Sequence, residues 1–119
     1  MGFNIIAAVD DLIFASKIKA TAENVGAEVR FAKSLATVLT QAEERLPDCV
    51  MVDLQGVKCE PFALARAFKT SATLKQVKLI GFFSHVQTAL MHEAQAAGYD
   101  QVLPRSAFTK RLPEILQDK

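Results

Sequence analysis

Short runs of consecutive apolar residues alternate along the chain with stretches where apolar positions recur every three or four residues. Residues 3–9, FNIIAAV, form the first unbroken run, as a strand covered on both faces does. In the following DLIFASKIKATAENVG, Phe14, Ile18, Thr21 and Val25 fall at helical spacing, Asp10 or Asp11 can cap the start, and Gly26 can stop it. Residues 27–32, AEVRFA, alternate Val29 and Phe31 with Glu28 and Arg30, the pattern of a half-buried edge strand. Ser34 then caps a helix whose stripe is Leu35, Val38, Leu39, Ala42 and Leu46, and Pro47 ends it.

The second half repeats the alternation. CVMV (49–52) is a buried strand, and Pro61 sits in the first turn of a helix in EPFALARAFKTS. VKLIGFF (77–83) is the next strand, Ser84 caps HVQTALMHEAQAA, and Gly98 closes that helix. QVL (101–103) is the last strand. SAFTKRLPEILQ is the last helix, which Pro113 is expected to split or kink. Strand and helix thus alternate five times over. Right-handed crossovers turn that order into a five-stranded parallel sheet between two helical layers, a flavodoxin-like α/β fold with strand order 2-1-3-4-5. No linker, repeat or low-complexity segment interrupts it, so residues 1–119 read as a single domain.

Composition narrows the function. Half of the residues are hydrophobic and 23% are charged, with 14 basic against 13 acidic side chains and a net charge of +1. No basic field points to nucleic acid or a membrane surface. No apolar stretch nears the roughly 20 residues of a membrane span, and the N-terminus lacks the basic region of a signal peptide. The cytoplasm is the expected compartment. Cys49 and Cys59 have no CxxC spacing and suit reduced thiols. Neither GxGxxG nor a Walker lysine is present, and the first β–α turn, VDDLIF, is not glycine-rich, which argues against a nucleotide-cofactor enzyme.

Ligands of such sheets bind outside the carboxyl ends of the strands. There the first strand ends in Asp10 and Asp11, the third in Asp53, the fourth in FFSH with Ser84, and the fifth in LPRS with Arg105. Carboxylates from two strand ends repel unless a cation lies between them, and Mg²⁺ suits oxygen ligands. A carboxylate beside a metal can attack phosphorus and form an aspartyl phosphate. A hydroxyl and a basic side chain could bind the new phosphoryl oxygens. Each residue also has a plainer role. Asp53 could be a turn residue before Gly56, Asp10 and Asp11 helix caps, Ser84 an N-cap, and Arg105 a salt-bridge partner of Asp53. His85 and His92 share a solvent-facing helix side with Thr88 and make a poor metal site. Lys17 reads as a solvated helix residue, and Phe82, Phe83 and Phe108 as packing.

VDD after strand 1, VDLQG after strand 3, AAGYDQVL around strand 5 and the five-fold β–α order resemble the receiver domains of bacterial response regulators, the CheY-like family. The resemblance runs end to end. It implies a signalling module of a two-component phosphorelay rather than an enzyme. Asp53 would accept a phosphoryl group from a histidine kinase or phosphotransfer protein, with Mg²⁺ held by Asp10, Asp11, Asp53 and the backbone carbonyl of Gln55. It also implies signalling to a downstream protein through the helix 4–strand 5–helix 5 face, and pairing of two copies is compatible with it. The chain departs from the family pattern at several positions. Aligned from Asp53, the switch hydroxyl falls on Phe83, and Ser84 serves only if strand 4 shifts or bulges. The lysine position holds Arg105, followed by Ser106 and preceded by Pro104. The acidic pair falls on Val9 and Asp10, with Asp11 one place late, and Val102 stands where the family can carry a moving aromatic. Arginine offers a planar fork instead of a point charge and could grip Asp53 at rest, lowering its pKa. These departures define an alternative, a pseudo-receiver that keeps the fold as an interaction module without phosphoryl transfer.

Overall fold

Strands and helices alternate as the apolar pattern predicts: β1 (Asn4–Ala8), α1 (Leu12–Val25), β2 (Glu28–Ala32), α2 (Leu35–Glu44), β3 (Cys49–Asp53), α3 (Pro61–Thr70), β4 (Lys78–Phe83), α4 (Thr88–Ala97), β5 (Gln101–Pro104) and α5 (Arg105–Ile115). The structure, a computed structural model, describes residues 3–84 and 88–117. All pairings are parallel, and the order is β2-β1-β3-β4-β5. This is the flavodoxin-like arrangement expected from the sequence.

Side-chain alternation along the central strands builds the two cores. Ile5 and Ala7 of β1 join Phe14, Ile18 and Ala22 of α1 and Phe108 and Leu112 of α5 on one face. Ile6 and Ala8 join Val38 and Ala42 of α2, Leu64 and Phe68 of α3, and Ala94 of α4 on the other. Both faces of β1 and β3 are therefore covered, which is why these strands read as unbroken apolar runs. On the first face Phe82 stacks on Phe108 at 4.6 Å between ring centroids, and Phe14 lies 5.1 Å from Phe82 and 5.8 Å from Phe108. The three rings join α1, β4 and α5 directly beneath the carboxyl edge of the sheet.

Local chemistry fixes the element ends. Asp11 Oδ1 accepts from the backbone N–H groups of Ile13 (2.9 Å) and Phe14 (3.1 Å), so Asp11, not Asp10, caps α1. Gly26, at φ +76°, closes the same helix. Ser34 Oγ accepts from Thr37 N at 3.2 Å at the head of α2. Tyr99 is buried and donates its hydroxyl to the Pro61 carbonyl at 2.7 Å, tying the start of β5 to the first turn of α3.

Three expectations change. In α1 the buried stripe is Phe14, Ile18 and Ala22, because strict spacing of four carries it to Ala22 and leaves Thr21 and Val25 half-buried. Leu46 lies beyond the end of α2 and is 55% exposed, so it does not extend that helix's stripe. Pro113 does not split α5, which runs through it to Ile115. Pro113 is on the exposed side, so the carbonyl left without its usual donor is near water, while Leu112, Ile115 and Leu116 anchor the helix to the core. Among the described residues no helix is long and apolar enough to cross a membrane.

Candidate functional site

Register aligns the carboxyl edge. Ala32 pairs with Ala8, and Ala8 with Val52, so one row crosses β2, β1 and β3. The residues that follow, Lys33, Val9 and Asp53, leave the sheet at one level. Asp53 is the last residue of β3, opposite Phe82 of β4. Immediately after it Leu54 folds back over β4. Leu54 N donates to the Phe82 carbonyl at 2.9 Å. The side chain lies over Gly81, where an added Cβ would stand 2.7 Å from Leu54 Cδ2. Leu54 is thereby buried, and the chain turns at Asp53 rather than running on past the sheet.

Asp53 does serve the turn before Gly56. Its Oδ1 accepts from Gln55 N at 3.0 Å and its carbonyl accepts from Gly56 N at 3.0 Å. Among the described residues, Oδ2 has no hydrogen-bond partner. The carboxyl is half-buried, and burial pushes its pKa above the ordinary value. The Gln55 N–H and the Arg105 charge oppose that rise, and the charges of Asp10 and Asp11 add to it. The result is a carboxylate of raised basicity with one open oxygen.

Asp10 and Asp53 line a narrow, tightly packed cavity together with Ala8, Lys33, Gly56 and Cys59. Asp10 is exposed. Cys59 is buried, its Sγ lies 3.6 Å from the Asp53 carbonyl, and burial with the nearby Asp53 charge pushes its thiol up to about 11. It is a neutral thiol at ordinary pH, not a nucleophile.

Asp11 turns to the other side. While Oδ1 caps α1, Oδ2 accepts from Arg105 Nη2 at 2.8 Å. That hydrogen bond, with the cap, holds the Asp11 carboxyl below its ordinary pKa. The salt bridge expected between Arg105 and Asp53 is thus made to Asp11 instead. Arg105 begins α5 above the aromatic cluster, and its guanidinium lies 4.0 Å over the Phe14 ring. Stacking there aims the fork at Asp11, on the first turn of the same helix as Phe14. The expected lowering of the Asp53 pKa by a bidentate grip is replaced by a rise from burial. Arg105 lines a shallow groove of about 510 Å³ with Ile13, Phe14, Lys17, Ser106 and Thr109.

β4 pairs without a bulge, with β3 through Phe82 and with β5 through Phe83. Phe83 is accordingly buried in the core, and Ser84 stands beyond the strand, exposed. Ser84 N donates to Gln55 Oε1 at 2.7 Å, and Arg105 Nη1 reaches Ser84 Oγ at 3.5 Å. Gln55, expected to offer only its backbone carbonyl, therefore also tethers the β3–α3 loop to the β4–α4 junction through its side chain. Its glutamine identity was the available signal. Lys33, which no expectation included, stands directly after β2, and a basic side chain just past an edge strand was the available signal. His85 lies outside the described residues, and His92 is exposed on α4. Among the described residues no three His, Cys, Asp or Glu side chains group closely enough to hold a metal ion. The carboxylates that remain at the cavity are Asp10 and Asp53.

No family model matches the sequence, and no curated protein matches it. Solved structures do match. A response regulator from Hahella chejuensis superposes with a TM-score of 0.87 at 16% identity, over 96% of this chain and 92% of its own. The chemotaxis response regulator CheY4 of Vibrio cholerae gives 0.85 at 17% identity, over 98% and 97%. The receiver domain of a sensor histidine kinase from Pseudomonas aeruginosa, which holds a magnesium ion in its active site cleft, gives 0.84 at 17% identity, over 98% and 95%. At such identities the likeness is one of fold: the chain has the fold of a response-regulator receiver domain.

Proposed function

We propose that this chain acts as one receiver module of a two-component phosphorelay, accepting a phosphoryl group on Asp53 and signalling through protein contacts. The observation that carries the reading is Asp53 itself. It is a half-buried carboxylate at the carboxyl end of a central parallel strand, with Oδ2 open and a second carboxylate, Asp10, on the same cavity. In the reaction an Asp53 oxygen attacks the phosphorus of a phosphohistidine on a kinase or phosphotransfer protein. The P–N bond breaks, and the imidazole nitrogen keeps the bonding pair.

Mg²⁺ fits this donor set in its usual manner, through one or two carboxylates with several waters retained. Asp10 and Asp53 would hold it with the Gln55 carbonyl, while Asp11 is occupied by its cap and by Arg105. When bound, the ion would relieve the repulsion between the two carboxylates and offset charge on the phosphoryl oxygens. Support for an output face comes from β5 at the sheet edge, half-buried throughout, and from α4, in which Ala94 is the buried residue. Charge added at Asp53 would bias that face by way of the Gln55–Ser84–Arg105 contacts.

The alternative, a pseudo-receiver that binds partners without phosphoryl transfer, is favoured by two observations. Phe83 fills the switch position from within the core, and Arg105 is engaged by Asp11 and Phe14. Incubation with Mg²⁺ and acetyl phosphate followed by intact-mass measurement separates the two. A single phosphoryl adduct absent from Asp53→Ala supports the receiver. An unmodified mass at all donor concentrations supports the pseudo-receiver.

A further inference from the structure

A phosphoryl group on Asp53 would turn one negative charge into about two at an edge that already holds Asp10 and Asp11. Some cation from the protein has to meet it. Arg105 is the residue that position alone would nominate, but its fork is on Asp11 at 2.8 Å, its plane lies 4.0 Å over Phe14, and it lines a different groove. Lys33 has none of these ties. Among the described residues it makes no hydrogen bond or ion pair, and it lines the cavity shared by Asp10 and Asp53. Among the described residues no other lysine or arginine lines that cavity.

Register shows that the reach is adequate. The row Ala32, Ala8, Val52 puts Lys33 and Asp53 one residue past the same level, on strands separated only by β1. Two strand spacings come to about 10 Å. A flexible four-carbon stem covers much of that gap, and a phosphoryl group projecting from Asp53 covers more. The ammonium does not need to touch the resting carboxylate. It meets the oxygens that appear only when phosphorus arrives.

We infer that Lys33, at the end of the edge strand β2, is the phosphoryl-binding cation of this site, in place of Arg105. The inference rests on the receiver reading of Asp53. With acetyl phosphate an Asp53 oxygen attacks phosphorus, the bond from phosphorus to the acyl oxygen breaks, and acetate leaves with the bonding pair. No proton has to move. Lys33 would stabilise charge on the transferring group and contribute at saturating donor.

The test follows phosphoryl uptake by intact mass over a range of acetyl phosphate concentrations with Mg²⁺ present. The proteins are the wild type, Lys33→Gln, Lys33→Arg and Arg105→Gln. Thermal melts accompany each, and Lys33 is exposed, so its variants are expected to fold. Lys33→Gln is expected to slow uptake at saturating donor on the order of ten-fold or more. Lys33→Arg should restore part of the rate, which a merely structural role would not require, and Arg105→Gln should change it far less. Uptake by Lys33→Gln at the wild-type rate, or a large loss confined to Arg105→Gln, overturns the assignment to Lys33 and leaves the receiver reading standing. A wild-type protein that takes up no phosphoryl group overturns both.

Discussion

Arg105 Nη2 stands 2.8 Å from Asp11 Oδ2, joining the first turn of α1 to the first turn of α5 across 94 positions of sequence. The same Asp11 caps α1 through its other oxygen. One aspartate is therefore divided between a backbone task and an ion pair, and Asp53 is left without a direct cationic partner.

Arg105→Ala removes this pair and the stack on Phe14. The two side chains are 34% and 42% exposed, so solvent screening leaves the pair only a small contribution, and the stack is worth about 0.5–1 kcal/mol. A loss of about 1 kcal/mol is expected in denaturant unfolding, and added salt should shrink the ionic part. Carboxyl titration by NMR should show Asp11 rising toward its ordinary pKa in this variant, since the Arg105 hydrogen bond is the largest cause of its lowering.

Asp53 and Asp11 are expected to set opposite pH trends. Burial raises the folded-state pKa of Asp53, so the native protein holds that proton more tightly than the unfolded chain does. Its contribution to stability declines as pH climbs from about 3.8 through the raised value. Asp53→Asn should then melt a few degrees above wild type at neutral pH, with the gain fading in acid. The folded pKa of Asp11 is lowered, so its contribution is full above about 3.8 and is lost as pH falls through the lowered value. Asp11→Asn should cost stability at neutral pH and nothing in strong acid. Melting curves of both variants across pH check the two signs together.

Gln55→Ala removes the acceptor of the Ser84 N–H at 2.7 Å. A net loss of about 1 kcal/mol at this contact corresponds to roughly five-fold faster amide exchange at Ser84. Exchange measured on the amides of β4 should stay near wild type, because the ladder to β5 through Phe83 is intact.

Gly81→Ala places a methyl group 2.7 Å from Leu54 Cδ2. Overpacking of this kind costs about 1–3 kcal/mol. Because Leu54 follows Asp53 directly, the strain should also reach the site. Amide shifts at Asp53 and Gln55 are expected to move more than those at the opposite edge of the sheet.

Much of the architecture was legible because strands buried on both faces have to be continuous apolar runs, while their helices need only one stripe. Cys49–Asp53 and Lys78–Phe83 show this plainly. Asp53 and Asp10 were placed by the same pattern, since charge directly after such a run falls at the carboxyl edge. The partner of Arg105 was not legible: two carboxylates compete for it, and the Phe14 ring that decides between them is adjacent only in three dimensions. Lys33 was hidden for another reason. The alternation of β2 drew attention to its two faces, whereas the relevant fact was which strand its end sits beside. Pro113 does not split α5 because the cost of proline in a helix interior is lowest where the orphaned carbonyl is near solvent.

Tyr99, which ties β5 to α3 through the Pro61 carbonyl, is the chain's one tyrosine, and the sequence has no tryptophan. Ultraviolet emission from the protein therefore arises almost wholly from a single buried ring. That ring hydrogen-bonds to the helix that begins soon after the Asp53 turn, and the edge strand that its other neighbours lead into belongs to the face proposed to signal. The chain thus carries its own optical reporter, readable without a label, between the site that would receive charge and the surface that would respond.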